Sequence, residues 1–225
     1  MTAPAAHGTT SEVVILLHGL CRTSRSMGPL ERHLSAQGYQ VRNIDYPSRR
    51  FPIHRLSEEY LAPIVQKSAT PETTHIHFVT HSLGGILVRD YFAHHGVIKP
   101  GRVVMLGPPN QGSEVVDALR NNRLFQWLKG PAGTELGTDP DTGPNRLGTV
   151  RFPLGIIAGD RSINWINSGL MTRGRDDGKV SIERTKDRGM ADHIVVHASH
   201  PMLMRNQSVK QQVVTFLKTG AFSRS

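Results

Sequence analysis

Ser82 lies in the sequence THSLGG (residues 80–85), between a segment rich in β-forming residues and a segment whose apolar residues recur at helical spacing. A serine at such a strand-to-helix turn fits the nucleophile-elbow motif, in which a strained backbone presents the hydroxyl for attack on an acyl carbon. Gly84 supplies the small neighbour that the motif needs, whereas Thr80 stands where glycine is usual. The pattern predicts a nucleophile at Ser82, and an ordinary turn is the alternative.

A serine nucleophile requires a neighbouring base, usually a histidine that a carboxylate holds in one tautomer. Elbow proteins place these residues along the chain in the order serine, acid, histidine. The histidines after the fifth predicted strand are His193, His197 and His200. We predict His200 as the base because it follows the last predicted strand, although it could instead cap the closing helix. His81 borders the serine and is predicted to support or pack.

The acid has three candidates. Asp160 directly follows the fifth predicted strand, whereas Asp176 and Asp177 lie further on, in GRDDGKVS (residues 174–181). Spacing alone favours Asp160.

Acyl transfer also needs hydrogen-bond donors for the oxyanion, and one donor contributes about 3 to 4 kcal/mol. In elbow proteins one donor is the N–H after the nucleophile, here that of Leu83. The second is predicted at Leu20, in the loop after the first strand, where Gly19 allows the backbone to approach closely.

Strand and helix patterns alternate along the 225 residues and predict an α/β fold: a mostly parallel central sheet of about six strands with helices on both faces and no separate cap domain. The predicted strands are residues 13–17, 41–47, 75–79, 102–109, 152–158 and 192–196. Helices are predicted at 30–38, 56–65, 85–92, 115–128 and 209–217, and residues 130–148 as a long irregular loop, either a lid or surface. Residues 1–12 are expected to be a flexible segment and 13–225 a single domain.

The candidate residues all follow predicted strands. Because ligands bind at the carboxyl ends of the strands in open parallel sheets, we expect them to gather at one edge.

The composition restricts the partners. The formal charge is +9 with a pI near 10.2, yet the only adjacent basic pair is Arg49–Arg50, so no nucleic-acid partner is expected. No apolar run reaches the ~20 residues of a transmembrane helix. The N-terminus lacks a secretory pattern, and a cytoplasmic location is predicted.

A metal site is not indicated by the sequence. Cys21 is the only cysteine, which excludes a cysteine-rich zinc site. His75 and His77 share a strand face, but no third ligand is evident. We therefore predict neither cofactor nor metal.

Four segments together resemble the α/β-hydrolases of the lipase and esterase branch, including the GPI inositol-deacylase-like proteins. They are LHGL (17–20), THSLGG (80–85), LGPPNQGS (106–113) and the terminal SH (199–200). The third is similar to the LGTPHxGS strand end of lipases, and the likeness spans residues 13–217. This branch commonly carries its acid in an NDGxV segment, which DDGKV (176–180) resembles, so the resemblance shifts the prediction to Asp177.

The resulting hypothesis is a serine hydrolase of carboxylic esters with Ser82, His200 and Asp177 as its triad and a lipid-like or other apolar acyl substrate. A thioesterase, amidase or transacylase could use the same triad. A ligand-binding or receptor protein without turnover is the alternative from another class. The hypothesis requires an accessible hydroxyl with His200 as its imidazole neighbour, and a buried hydroxyl or a different histidine would overturn it.

Overall fold

The computed structural model describes residues 11–161 and 178–224, apart from residues 97, 120 and 142. Six strands form one parallel sheet in the order β2-β1-β3-β4-β5-β6. Their bounds are β1 Ser11–Leu17, β2 Gln40–Ile44, β3 Thr73–His81, β4 Pro100–Leu106, β5 Leu154–Arg161 and β6 Asp192–Ser199. The predicted fold class is confirmed, and all six predicted strands are present.

Helices cover both faces of the sheet. Their bounds are α1 Gly28–Ala36, α2 Ile53–Leu56, α3 Ala62–Ser68, α4 Leu83–His94, α5 Glu114–Leu119, α6 Arg123–Thr134, α7 Gly143–Arg146, α8 Gly178–Thr185 and α9 Gln207–Thr219. A π-helical turn, Ser57–Leu61, joins α2 to α3, and 3₁₀ turns span Ser24–Met27 and His200–Arg205. Each helix in the described parts of the chain is too short or too polar to cross a bilayer.

Alternation along β1 divides the interior into two cores. Val13 and Ile15 face a core that includes Leu87 of α4, whereas Val14 and Leu16 face a second core built with α1 and α9. Because successive strand residues point to opposite faces, a continuous apolar run fills both layers. The sheet is therefore a rigid support for the loops at its carboxyl edge.

The segment after β4 differs from its prediction. The helix expected at 115–128 is two helices, because the Asn122 side chain accepts hydrogen bonds from the N–H groups of Leu124 and Phe125 and starts α6 as its N-cap. The expected irregular loop at 130–148 is partly helical. Gly130 kinks α6 at φ 67° and Pro131 restarts the helix, after which the chain forms the short α7.

Candidate active site

Ser82 occupies the sharp turn between β3 and α4. Its backbone has φ 51° and ψ −119°, a region that residues with a β-carbon rarely adopt and that costs about 1 to 3 kcal/mol. Two hydrogen bonds hold the turn: the Ser82 N–H donates to the Leu106 carbonyl, and the Gly85 N–H donates to the Ser82 carbonyl, each at 2.9 Å. The strained strand-to-helix turn predicted at this serine is thus present.

The small residue after the turn is required by the packing of α4 on β1. A β-carbon at Gly84 would lie 2.7 Å from the Leu17 carbonyl oxygen and 2.9 Å from that of His18. Thr80, in the position where glycine is usual, is fully buried in β3 and accommodated there.

The hydroxyl of Ser82 is buried, which corrects the expectation of an accessible nucleophile. The residue is 1% exposed, and its Oγ has no hydrogen-bond partner among the described residues. The loop after β1 packs directly on it, since a β-carbon at Gly19 would lie 3.2 Å from Ser82 Cβ. A substrate can reach this hydroxyl only if the covering groups move.

A stacked histidine–tyrosine pair holds the loop after β1 in place. The rings of His18 and Tyr46 lie 4.0 Å apart and nearly parallel, and the Tyr46 hydroxyl donates to the His18 carbonyl. The His18 Nδ1–H donates to the Gly19 carbonyl at 2.9 Å, and Nε2 faces the Tyr46 N–H at 3.4 Å. Burial lowers the pKa of His18, so the ring is neutral and holds one tautomer. Tyr46 was not among the site residues predicted from sequence, although it follows β2 at the same edge.

The two residues predicted as oxyanion donors lie next to segments that contact or adjoin Ser82. Leu83 is the first residue of α4, where a backbone N–H has no partner within the helix. Leu20 follows Gly19, and its side chain is half-buried against Gly133 of α6. The two segments that carry these donors meet at Ser82.

His200 lies at the same edge, directly after β6. A β-carbon at Gly107, whose φ is 55°, would lie 2.6 Å from His200 Nδ1, so the turn after β4 needs glycine to leave room for the imidazole. The rings of His200 and His81 are 4.5 Å apart, and the His81 Nε2–H donates to the His200 carbonyl at 3.1 Å. His81 therefore packs against His200 and donates to its backbone, and the prediction from sequence was a packing or supporting role without a named partner.

Both imidazoles are neutral at neutral pH. Burial lowers the pKa of His81 to about 4. Burial, followed by the nearby His81 and the Arg22 cation, lowers the pKa of His200 well below its usual range. A neutral His200 is in the form that accepts a proton.

The other two histidine candidates, His193 at the start of β6 and His197 near its end, have other partners. The Asp160 carboxylate lies 3.0 Å from His197 Nδ1, and His193 Nε2 lies 3.2 Å from the Thr185 hydroxyl. Asp160 is thus engaged with a histidine other than His200. The other two candidate acids, Asp176 and Asp177, lie outside the described residues.

Comparisons with known proteins identify the family to which this fold belongs. The profile of the "Alpha/beta hydrolase family" matches residues 14–167, about two thirds of the chain. The chain belongs to the alpha/beta hydrolase family. No curated protein sequence matches it.

Several solved structures with a similar fold align with nearly the whole chain. The mature lipase of Bacillus licheniformis has a TM-score of 0.66 at 20% identity over 97% of this chain and 96% of its own. An esterase from Exiguobacterium antarcticum has 0.64 at 16% identity over 94% and 93%. A bromoperoxidase from Bacillus anthracis has 0.60 at 17% identity over 93% and 92%. At these identities the likeness concerns the fold.

Arg89 connects α4 to the segments beyond β4, a role that sequence reasoning missed. Its buried guanidinium donates to the carbonyl oxygens of Asn110 at 2.9 Å, Pro144 at 2.9 Å and Gly148 at 2.6 Å, and lies 3.5 Å from Asp187. A buried arginine within the mostly apolar run 83–92 was the available signal. These contacts of Arg89 hold the LGPPNQGS segment (106–113), which passes next to His200 at Gly107.

A group of potential metal ligands lies on α4 and the neighbouring α2. His54, Asp90 and His94 each offer one ligand atom, and these atoms lie within 4.8 Å of one another. Asp90 is eight residues from Ser82 along α4, about 12 Å at 1.5 Å per residue. The group is therefore separate from the serine.

Proposed function

We propose that this α/β-hydrolase is a serine hydrolase of carboxylic esters. Ser82 is the nucleophile, His200 the general base and Asp177 the acid that orients it. The observation that carries the proposal is the strained backbone of Ser82, at the edge where the His200 imidazole also lies. Strain of this kind persists only where the surrounding structure enforces it, and it is concentrated at functional sites.

The proposed reaction follows from these positions. His200 takes the Ser82 proton as the oxygen attacks the acyl carbon, and the backbone N–H groups of Leu20 and Leu83 stabilise the oxyanion. His200 then protonates the departing alcohol and leaves an acyl-enzyme. Water, deprotonated by the same imidazole, releases the acid and restores the serine.

The burial of Ser82 makes an opening step part of the proposal. Gly19 packs on Ser82, while Leu20 rests against Gly133 of α6. A displacement of α6 would release the Leu20 side chain without breaking the His18–Tyr46 anchor beneath the loop. Opening would then precede acylation and could limit the observed rate, as with the lids of other enzymes.

The substrate class rests on resemblance. The four matching segments are similar to lipases and esterases, and the solved structures with this fold include a lipase and an esterase. An ester with an apolar acyl group is the favoured substrate. The GPI inositol-deacylase-like proteins are the finer resemblance, and a thioesterase, amidase or transacylase would use the same residues.

Labelling by a fluorophosphonate and turnover of p-nitrophenyl esters of graded acyl length test the proposal. Ser82→Ala should abolish labelling and lower turnover at least about 1,000-fold. The matched control is Ser35→Ala, an exposed serine on α1, which should behave as wild type. Equal turnover in wild type and Ser82→Ala would remove the serine from the mechanism.

Binding without turnover is the second candidate, and the buried Ser82 hydroxyl favours it. A protein of this kind would retain an acyl ligand stoichiometrically and leave the fluorophosphonate unreacted. Labelling at Ser82 together with ester release would exclude it.

A further inference from the structure

We propose that His54, Asp90 and His94 form a binding site for a divalent transition-metal ion of the zinc type. The site does not depend on the proposed esterase activity. It departs from the sequence prediction of no metal, which considered only His75 and His77.

The three side chains converge on one carboxylate. Asp90 Oδ2 lies 3.1 Å from His54 Nδ1 and 3.8 Å from His94 Nδ1, and the two imidazole centroids are 4.5 Å apart. Ligand atoms around a tetrahedral zinc ion lie roughly 3.3 Å apart, given metal–ligand distances of about 2.0 to 2.1 Å. The present separations, all within 4.8 Å, close to that value by small rotations of the half-exposed imidazoles.

The backbone already orients part of this set. Asp90 and His94 are four residues apart on α4, and therefore on one face of the helix. The His94 Nδ1–H donates to the Asp90 carbonyl at 2.8 Å, which sets the tautomer and leaves the lone pair on Nε2. Hydrogen bonds of this kind hold metal-binding imidazoles in the required tautomer.

The donor types and their burial suit zinc. Two imidazoles and a carboxylate form a three-ligand set of the kind that zinc uses when its fourth position is open to water or a ligand. The Asp90 side chain is only 3% exposed, whereas those of His54 and His94 are 52% and 45% exposed. A buried carboxylate thus lies beneath two reachable imidazoles, and an ion can enter from solvent.

A cavity of about 200 Å³ adjoins the ligands and provides room for a fourth ligand. His54 and Asp90 line it together with Glu135 and Arg146. Glu135 is held in place because its carboxylate accepts the Ile53 N–H at 2.9 Å. Two carboxylates and one guanidinium line the cavity, and this charge balance favours a bound cation over a bound anion.

The ion would cross-link two elements. His54 belongs to the single turn of α2, and the other two ligands belong to α4, which carries Ser82 at its start. Because the metal binds the folded arrangement only, it should raise the stability of the folded chain. In the metal-free protein the same three residues would form a hydrogen-bonded cluster that joins these helices.

Zinc titration of the chelator-treated, untagged protein tests the proposal, by calorimetry and by thermal unfolding. We expect one ion per chain at this site and a zinc-dependent rise in Tm. His54→Gln and His94→Gln should each weaken binding at least about tenfold, since loss of a mere supporting group already costs 10- to 100-fold. Cobalt in place of zinc should give the visible absorption of a four-coordinate ion, which the double variant should lose.

The matched control is His75→Gln, an exposed strand histidine paired with Glu12, which should bind zinc as wild type does. Asp90→Asn is a third ligand variant, but the two half-exposed histidines carry the test if it fails to fold. Unchanged stoichiometry, affinity and Tm shift in the His54→Gln/His94→Gln double variant would overturn the proposal, as would the absence of zinc binding by the wild type.

Discussion

The Asp160 carboxylate holds the imidazole of His197, with both oxygens near Nδ1 at 3.0 and 3.1 Å. Arg161 Nε donates to His197 Nε2 at 2.9 Å, so Nε2 is the acceptor and Nδ1 carries the hydrogen that Asp160 accepts. The carboxylate that spacing alone favoured as the catalytic acid therefore already serves a different, exposed histidine.

The first prediction concerns the carboxylate that orients the base. Asp177→Asn should lower kcat by about 10⁴-fold, because loss of the orienting carboxylate leaves the base in the wrong tautomer. Asp160→Asn should change kcat only a few-fold, since its partner is His197. Steady-state kinetics on a p-nitrophenyl ester checks both. The reverse ranking would assign Asp160 as the acid.

The base is the second prediction, and the chain supplies its own control. His200→Ala should lower kcat at least about 1,000-fold because no other group removes the serine proton. His197→Ala removes an imidazole three residues away and should retain activity within a few-fold. Fluorophosphonate labelling rates of the two variants provide a second readout. Loss of activity only in His197→Ala would contradict the assignment.

The third prediction concerns pH. Burial, His81 and Arg22 lower the pKa of His200, so kcat/KM should fall with acid only well below pH 6.5. Arg22→Gln removes one of the charges that disfavour the imidazolium. The pKa of His200 then rises, and the acid limb of kcat/KM moves to higher pH.

Added salt should reduce the difference between wild type and Arg22→Gln, because the arginine is exposed and its charge is screened. Arg25→Gln, at a second exposed arginine in the same loop, is the control. An acid limb that does not move in Arg22→Gln would show that Arg22 does not affect the pKa of His200.

The fourth prediction concerns the anchor of the oxyanion loop. Tyr46→Phe keeps the stacked ring but removes the hydroxyl that donates to the buried His18 carbonyl. An unsatisfied buried acceptor costs about 1 to 3 kcal/mol, so the free energy of unfolding in urea should fall by that amount. Turnover of the folded enzyme should fall as well, since the loop bearing Leu20 loses its support. Tyr60→Phe, at a half-buried tyrosine elsewhere, should leave turnover unchanged.

The fifth prediction concerns the contacts of Arg89. Arg89→Leu removes three hydrogen bonds to backbone carbonyl groups and one to the Asn110 side chain, and leaves Asp187 without its buried cation. The free energy of unfolding should fall by about 3 to 5 kcal/mol. Arg188→Leu, at an exposed neighbouring position, should change it by less than about 0.5 kcal/mol. Equal stability of the two variants would show that the buried contacts of Arg89 do not stabilise the fold.

The sequence allowed the sheet and the elbow to be predicted because their signals are local. Apolar runs define buried parallel strands, and the small residue at Gly84 reflects a contact that the turn cannot avoid. The position of His200 at the carboxyl edge of the sheet could be predicted because the carboxyl ends of parallel strands lie at one edge.

Contacts between distant segments could not be predicted in the same way. The hydrogen bond from Tyr46 to His18 joins residues 28 apart, and the one from Arg89 to Gly148 joins residues 59 apart. Neither leaves a periodic signal in the sequence. The burial of Ser82 likewise depends on how the Gly19 loop packs, which composition does not record.

Because the Ser82 hydroxyl is buried, the fraction of open molecules limits the affinity for ligands. If only a small fraction of molecules is open at any moment, the apparent dissociation constant of every acyl ligand is weakened by the reciprocal of that fraction. A substitution that loosens the contact between Leu20 and Gly133 would then tighten binding of all substrates alike, without touching any atom that recognises them. Selectivity among acyl chains would stay the same while sensitivity to all of them increased.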